Sequence, residues 1–267
     1  MSVVEVVRGE SPVVLAFPHT GTDLPPGVGP HLNDTGLALA DTDWWIHDLY
    51  AGLLPSATTV RTSVHRYVID VNRDPMGASL YPGQNTTTLC PTTDFDGRPI
   101  HISPPDEAEI ARRVDEFHAP YHVALAEEIG RAKARHGFAV VYDCHSIRSQ
   151  IPNLFGGTLT DFNVGTFGGL TCDPRIEAAV VEICRKSEGY SSVLNGRFKG
   201  GWTTRNYGQP DNRIHAIQME LAQSTYMEES PPWRWSPERV ARLRPVLKEI
   251  LTTIDALARS GALTEAI

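Results

Sequence analysis

The sequence has few cysteines and no long apolar run, and each of these shortages excludes a class of protein. Its four cysteines lie far apart with no C-x-x-C pair, at Cys90, Cys144, Cys172 and Cys184. The sequence therefore predicts neither a disulfide framework nor a thiolate zinc site. The first residues, MSVVEVVRGESPVVLAF, lack the basic stretch of a signal peptide, and their apolar runs are too short for such a peptide or for a membrane span. We therefore expect a cytoplasmic protein with no membrane partner.

Basic residues are also in short supply. The 267-residue chain has 24 lysines and arginines against 32 aspartates and glutamates, a formal net charge of −8, and its basic residues are scattered along the sequence. Surfaces that bind nucleic acid are strongly basic, so we expect no nucleic-acid partner. No Ser/Gly-rich or Pro-rich linker and no internal repeat divides the chain, and 41% of its residues are apolar. Residues 1–267 are predicted to form a single domain with a large core.

Three segments are typical of buried strands in an α/β sheet. SPVVLAFPH and GFAVVYDCH each carry a turn residue, an apolar run and a terminal histidine, His19 and His145 respectively. A third segment, IHAIQMELAQ, alternates between a more polar and a more apolar face and carries Glu220. The ligand crevice of an open α/β sheet lies at the carboxyl ends of its strands. We therefore expect His19, His145 and Glu220 to converge there.

Two long helices are predicted, one before the second of these strands and one after the third. One begins with Ser103 as N-cap and stops at Gly137, and Pro120 is expected to kink or divide it. The other begins with Ser236 as N-cap and stops at Gly261. Strands that alternate with long helices predict an α/β fold with a mixed sheet flanked by helices.

Two further stretches, residues 72–103 and 191–213, are predicted to be loops. They are rich in Gly, Pro, Asn and Thr and have almost no periodicity. Long loops in a compact domain are usually functional. These two carry the segments NRDP, LYPG, NGRFKGG and TTRNYG, whose arginines and asparagines suit the binding of carboxylates.

A catalytic zinc site needs two imidazoles and a carboxylate, with one position left open. His19 and His145, each closing a predicted strand, are the candidate imidazoles. The carboxylate has three candidates. Asp23 follows His19 by four residues but lies among glycine and prolines, whereas Asp41 and Asp43 lie where an amphipathic helix is expected to start. We assign Asp41 as the helix cap and Asp43 as the metal ligand.

Other polar residues beside these strands have competing interpretations. Asp143 shares a strand face with His145, so it orients that imidazole or binds loop amides. Glu220, on a largely apolar strand, is a general base at a metal site or pairs with a loop arginine. Ser146 suggests a serine hydrolase, but the chain has no G-x-S-x-G motif. Cys144 is either a buried structural thiol or a catalytic nucleophile.

With these residues in view, the chain resembles the N-formylglutamate amidohydrolase (deformylase) family of histidine catabolism. The resemblance covers most of the chain. That family resembles the zinc carboxypeptidases and aspartoacylases, which implies an α/β fold with a central mixed, mostly parallel sheet of about eight strands. The segments that carry the resemblance are, in order, FPHTGTDLP, DTDWWIHDLY, RYVIDVNRDP, LYPG, DCHSIRS, DFNVGT, NGRFKGGWTTRNYG and MELAQSTYM.

The resemblance implies zinc-dependent hydrolysis of N-formyl-L-glutamate to L-glutamate and formate, with one Zn²⁺ per chain. It implies that Glu220 is the base and that Asn72 and Arg73 contact the substrate carboxylate or the oxyanion. We assign the oxyanion to Arg73. The metal ligands would be His19, Asp43 and His145, and the candidate cations for the substrate carboxylates are Arg148, Arg197, Lys199 and Arg205.

The sequence departs from the related patterns at two positions. Zinc carboxypeptidases have a glutamate ligand three residues after the first histidine, where this chain has Thr22, and Asn206 replaces an expected histidine. Two alternative functions stay open. One is a zinc amidohydrolase for another N-acyl acidic amino acid, and the other is a non-enzymatic protein that binds acidic metabolites. We expect a monomer or a homodimer.

Overall fold

The computed structural model describes residues 2–79, 83–261 and 263, so the LYPG motif lies outside the described residues except for its glycine. Seven strands in the described part form one sheet. The resemblance implied about eight strands. The seven are β1 (Val4–Val7), β2 (Val13–Phe17), β3 (Thr58–Thr62), β4 (Ala139–Ile147), β5 (Phe162–Gly165), β6 (Ser192–Leu194) and β7 (Ile214–Ala222).

The sheet is mixed and mostly parallel, as predicted. Its strand order is β1-β3-β2-β4-β7-β5-β6. The four central strands β3, β2, β4 and β7 are parallel, whereas β1 pairs antiparallel with β3, and β5 antiparallel with β7. The three predicted strands are β2, β4 and β7, which lie side by side. Their carboxyl ends therefore meet at one edge of the sheet.

Helices cover both faces of the sheet. The alternation of β2 divides its side chains between two apolar clusters. Val13, Leu15 and Phe17 pack with α5 (Pro174–Lys186) and α7 (Pro237–Arg259), and Val14 and Ala16 pack with α4 (Ala119–His136). None of the helices in the described residues is long and apolar enough to cross a membrane. The helices are α1 (Asp34–Leu37), α2 (Ile46–Tyr50), α3 (Glu107–Arg113), α4 (Ala119–His136), α5 (Pro174–Lys186), α6 (Trp202–Tyr207) and α7 (Pro237–Arg259).

The first predicted long helix is divided and begins later than expected. The prediction that Ser103 is its N-cap is wrong. Asp106 caps α3 by accepting a hydrogen bond from the Glu109 amide, 2.8 Å away, because two prolines follow Ser103 and disfavour a helical start there. A π-helical turn then separates α3 from α4 just before Pro120, whose ring nitrogen cannot donate to the preceding turn. Gly137, with φ of 83°, ends α4 as predicted.

The ends of the C-terminal helix agree with the sequence. The Ser236 side chain caps α7 and Pro237 occupies its first turn. The helix ends at Arg259, and Gly261 follows with φ of 80°.

The loop prediction for residues 191–213 is wrong in part. This stretch contains β6, α6 and a 3-10 turn at Pro210–Asn212. Both β6 and α6 are too short to produce a periodic pattern, and their tertiary contacts stabilise them: β6 pairs with β5, and α6 packs against β4 and β7. In the described part of residues 72–103 there is neither a helix nor a strand, in line with the loop prediction.

Candidate metal centre and cleft

Two histidines and one aspartate converge at the carboxyl edge of the sheet. His19 follows β2 directly, His145 lies near the end of β4, and the Asp43 amide donates to the His19 carbonyl over 3.0 Å. The Nδ1 atoms of His19 and His145 are 3.2 Å apart. Asp43 Oδ2 lies 3.3 Å from Nδ1 of His145 and 3.8 Å from Nδ1 of His19. The structure thus brings the three predicted ligands together.

A carboxylate contacts the outer nitrogen of each imidazole. Asp70 Oδ1 lies 2.6 Å from Nε2 of His19, and Asp143 Oδ1 lies 3.0 Å from Nε2 of His145. Asp143 also accepts a hydrogen bond from the Thr204 hydroxyl at 2.9 Å. The Asp70 contact is a hydrogen bond, which fixes the orientation of the His19 ring and leaves its Nδ1 atom to face a metal, whereas Asp143 Oδ1 makes an ionic contact without a hydrogen bond. Asp143 therefore contacts the imidazole, which was one of its two expected roles.

The spacing of the three inward atoms fits a metal ion. Nitrogen and oxygen ligands of a tetrahedral zinc site lie about 2.0–2.2 Å from the ion, hence roughly 3.3–3.6 Å from one another, and small shifts on binding would bring the present atoms into that range. The three separations here are 3.2, 3.3 and 3.8 Å. Asp43 Oδ1, although buried, has no hydrogen-bond partner among the described residues. This buried His-Asp-His group could hold a metal ion.

The electrostatics of the site also favour a cation. Burial by itself lowers the pKa of His145, but the nearby Asp143 and Asp43 carboxylates reverse this effect and raise it well above its usual value. For His19, burial and the nearby Arg66 guanidinium outweigh the carboxylates and lower the pKa, which favours the neutral form that binds metals. The carboxylates thus stabilise positive charge beside His145, and a divalent cation would supply it.

The other two carboxylate candidates lie in different surroundings. Asp41 Oδ2 accepts hydrogen bonds from the Tyr67 hydroxyl at 2.7 Å and the Phe95 amide at 2.8 Å. The prediction that Asp41 caps a helix is wrong, because α2 begins at Ile46 with Trp45 as N-cap. Asp23 forms an isolated β-bridge and does not belong to the His-Asp-His group.

Glu220 lies beside this group. It is the direct neighbour of His145 across the β4–β7 pair and is only 7% exposed. Burial raises the pKa of Glu220 to about 8, in part offset by His145. Its Oε2 accepts a hydrogen bond from Nε2 of Gln218 at 3.0 Å. The predicted convergence of His19, His145 and Glu220 is therefore present in the structure.

A cleft of about 570 Å³, a volume that includes the open space at its mouth, lies over these residues. His19, His145 and Glu220 line it, as does Asn72. Nδ2 of Asn72 lies 3.2 Å from Nε2 of His145. The arginines that line the cleft are Arg66, Arg73 and Arg197.

The cations predicted to bind substrate are distributed unequally. Arg197 lines the cleft, whereas Arg148, Lys199 and Arg205 are not among the described residues that do so. Arg148 pairs with Asp96 at 3.1 Å. Arg205 donates to the Gly200 carbonyl and lies over the Phe167 ring, and Lys199 is exposed.

The sequence interpretation missed Arg66, Asp70 and Gln218. Arg66 is buried, donates to Asp70 at 2.7 Å and lies 3.6 Å from Asp43 Oδ1. Burial would raise the pKa of Asp70, but Arg73, His19 and Arg66 together lower it well below its usual value. A signal was available, since RYVID places two opposite charges four residues apart around an apolar run.

Neither nucleophile interpretation is supported. Cys144 is fully buried, and burial raises the pKa of its thiol well above the usual value. The Ser146 hydroxyl accepts a hydrogen bond from the Tyr226 hydroxyl at 2.7 Å, while its amide donates to Asp43 Oδ2. All four cysteines are buried and free of disulfides.

Comparisons with known proteins identify the family to which the chain belongs. The family model described as N-formylglutamate amidohydrolase matches residues 11–227. The N-formylglutamate deformylase of Pseudomonas aeruginosa is 45% identical over 261 residues, 96% of this chain and 97% of that protein. The one from Pseudomonas putida is 42% identical over 253 residues, 93% of this chain and 94% of that protein. The crystal structure of N-formylglutamate amidohydrolase from Ralstonia eutropha JMP134 has a TM-score of 0.81 at 26% identity, and covers 98% of this chain and 100% of that chain.

Proposed function

We propose that this chain, which belongs to the N-formylglutamate amidohydrolase family, hydrolyses N-formyl-L-glutamate to formate and L-glutamate. The observation that carries the proposal is the buried His-Asp-His group at the base of a cleft, with Glu220 beside it. The near-complete alignment with curated deformylases supports the choice of substrate.

We propose Zn²⁺ as the metal, with Nδ1 of His19, Nδ1 of His145 and Asp43 Oδ2 as its ligands. Two imidazoles and one carboxylate are a common donor set of catalytic zinc. When bound at such a site, zinc supplies Lewis acidity, which polarises a carbonyl group and lowers the pKa of water towards about 7. Asp70 holds the His19 imidazole in orientation by a hydrogen bond to its outer nitrogen, and the Asp143 carboxylate faces the outer nitrogen of His145.

Glu220 is the proposed general base. Its carboxylate accepts a proton from the attacking water and delivers that proton to the nitrogen of the leaving glutamate. The support is geometric, because Glu220 lines the cleft and lies directly across from His145.

The cleft arginines provide the positive charge that the substrate requires. We assign Arg73 to the oxygen of the formyl group, where negative charge develops, and Arg66 joins it because its buried guanidinium lies close to Asp43 and also lines the cleft. Arg197, with Asn72, is assigned to the substrate carboxylates. Arg148, Lys199 and Arg205, also predicted from the sequence, would act from outside the described cleft lining.

Formate release tests the function directly. Purified protein loaded with Zn²⁺ is assayed with N-formyl-L-glutamate, N-acetyl-L-glutamate and N-formyl-L-aspartate. We expect the formyl glutamate to have the highest kcat/KM. A preference for the acetyl compound would favour the other N-acyl amidohydrolase, and binding of the substrate without formate release would favour a binding protein.

Glu220→Gln is the matched variant for the mechanism. The amide keeps the shape of the side chain but cannot accept the proton, so we expect a loss of about 100- to 10,000-fold in kcat. The metal content should stay that of the unaltered protein. Near-normal kcat would remove Glu220 as the base.

The remaining parts of the proposal concern the state of the protein in the cell. We propose a cytoplasmic enzyme that is a monomer or a homodimer. Size-exclusion chromatography with light scattering distinguishes these two oligomeric states.

A further inference from the structure

Gln218 and Glu220 form a buried polar pair on the central strand β7. Two residues apart, they point to the same face of the sheet, and both line the cleft. Gln218 is 3% exposed. A buried amide is costly unless its polar atoms are hydrogen-bonded, so its partners are informative.

The main chain at Gly201 fixes the orientation of the Gln218 amide. The Gly201 amide N–H lies 2.6 Å from the side-chain oxygen of Gln218. Because a main-chain N–H can only donate, the atom that faces it must be an acceptor, and the NH₂ group must be at the other end of the side chain. That NH₂ group donates to Oε2 of Glu220 at 3.0 Å.

Gly201 lies close against the Asn72 side chain. A Cβ atom on this residue would lie 2.2 Å from Nδ2 of Asn72, so only glycine fits without a shift. Two residues later, the Thr203 amide donates to Oδ1 of Asn72 at 2.8 Å. The start of α6 thus contacts both Gln218, which reaches Glu220, and Asn72, which lies against His145.

We infer that Gln218 is a positioning residue for the general base, which holds Oε2 of Glu220 so that Oε1 is the oxygen that accepts the proton. This inference rests on the proposed role of Glu220. A carboxylate with a fixed donor on one oxygen has less rotational freedom, which keeps the other oxygen aimed at the reacting atoms.

Gln218→Met tests the inference, because methionine has a similar length but cannot make either hydrogen bond. We expect kcat to fall about 10- to 100-fold, the loss typical of one hydrogen bond to a charged group. KM and zinc content should stay unchanged, since Gln218 contacts no proposed metal ligand. Gln209→Met is the control, because Gln209 is exposed and lies before β7. If Gln218→Met does not fold, Gln218→Leu is measured in the same way.

A double-mutant cycle separates positioning from a general structural role. If Gln218 acts through Glu220, Gln218→Met should lower kcat by less than about twofold in a Glu220→Gln background. An equal loss in both backgrounds would overturn the inference while leaving Glu220 as the base. If Glu220→Gln alone keeps near-normal kcat, both the inference and the proposed role of Glu220 are wrong.

Discussion

The base of the cleft and its outer part are built differently. At the base, His19 and His145 are buried at strand ends, and a carboxylate contacts the outer nitrogen of each ring. In the outer part, Arg197 donates to the carbonyls of Leu154 and Asn85, both in loops. Buried charges that depend on one another tolerate little change, whereas loop cations can be lost singly. Substitution of the proposed ligands or of the carboxylates behind them should therefore weaken or abolish metal binding, whereas substitution of Arg197 in the outer part should affect substrate affinity.

The largest effect is expected for His145→Ala. Loss of one of two imidazoles should remove the metal from the purified protein and lower turnover by about 1000-fold or more, because metal assistance contributes several kcal/mol to catalysis. Elemental analysis and formate release measure the two effects. His31→Ala, at an exposed histidine, is the control. Full zinc occupancy in His145→Ala would exclude this residue as a ligand.

Asp70→Asn, also at the base of the cleft, should have a smaller effect on metal binding. The carboxylate contacts Nε2 of His19, and an amide in its place would weaken metal affinity by about 10- to 100-fold. Competition with a chelator measures this affinity. Unchanged affinity would mean that the outer contact does not support the metal site.

Arg197→Gln, in the outer part of the cleft, should affect substrate affinity and leave the metal site intact. We expect KM to rise by about tenfold or more, since a charged contact to a carboxylate is lost, with kcat and zinc content nearly unchanged. Arg185→Gln is the matched control because Arg185 is exposed on α5, does not belong to the described cleft lining and has no proposed contact with the substrate. Equal effects of the two substitutions would argue against a specific role for Arg197.

The smallest effect concerns the unfolding free energy and its dependence on His122, which lies behind the base of the cleft. Nε2 of His122 donates to the Val71 carbonyl at 2.7 Å, next to Asn72. Burial, and secondarily His118, lowers the pKa of His122 to about 3. His122 takes up a proton near pH 6.5 in the unfolded chain but only near pH 3 in the folded chain. Its contribution to the unfolding free energy is therefore complete above about pH 6.5 and decreases as the pH falls.

Urea unfolding at pH 7 and pH 5 checks this effect. We expect the unfolding free energy of the unaltered protein to fall more steeply than that of His122→Gln, by up to about 1.4 kcal/mol per pH unit. Parallel pH dependences would show that His122 does not titrate between its folded and unfolded states as inferred.

The difference between strand ends and loops also explains which residues of the site could be predicted from the sequence. His19 and His145 were found because each closes an apolar strand, and parallel strands side by side bring their ends together. Asp43 could only be chosen among three candidates, since its approach to His145 depends on how the loop after β2 folds. Arg66 and Asp70 were missed because they lie outside the strands and helices, where no periodicity marks a buried side chain. The helix α6 was missed because its contacts to Asn72 and Asp143 come from distant parts of the chain.

Zinc-anomalous diffraction from crystals of the zinc-loaded protein tests the central claim most directly. The account predicts one strong anomalous peak within bonding distance, about 2.0–2.2 Å, of Nδ1 of His19, Nδ1 of His145 and a carboxylate oxygen of Asp43. A peak bound by Asp41 or Asp23 in place of Asp43, or the absence of any peak between the two imidazoles, would contradict it.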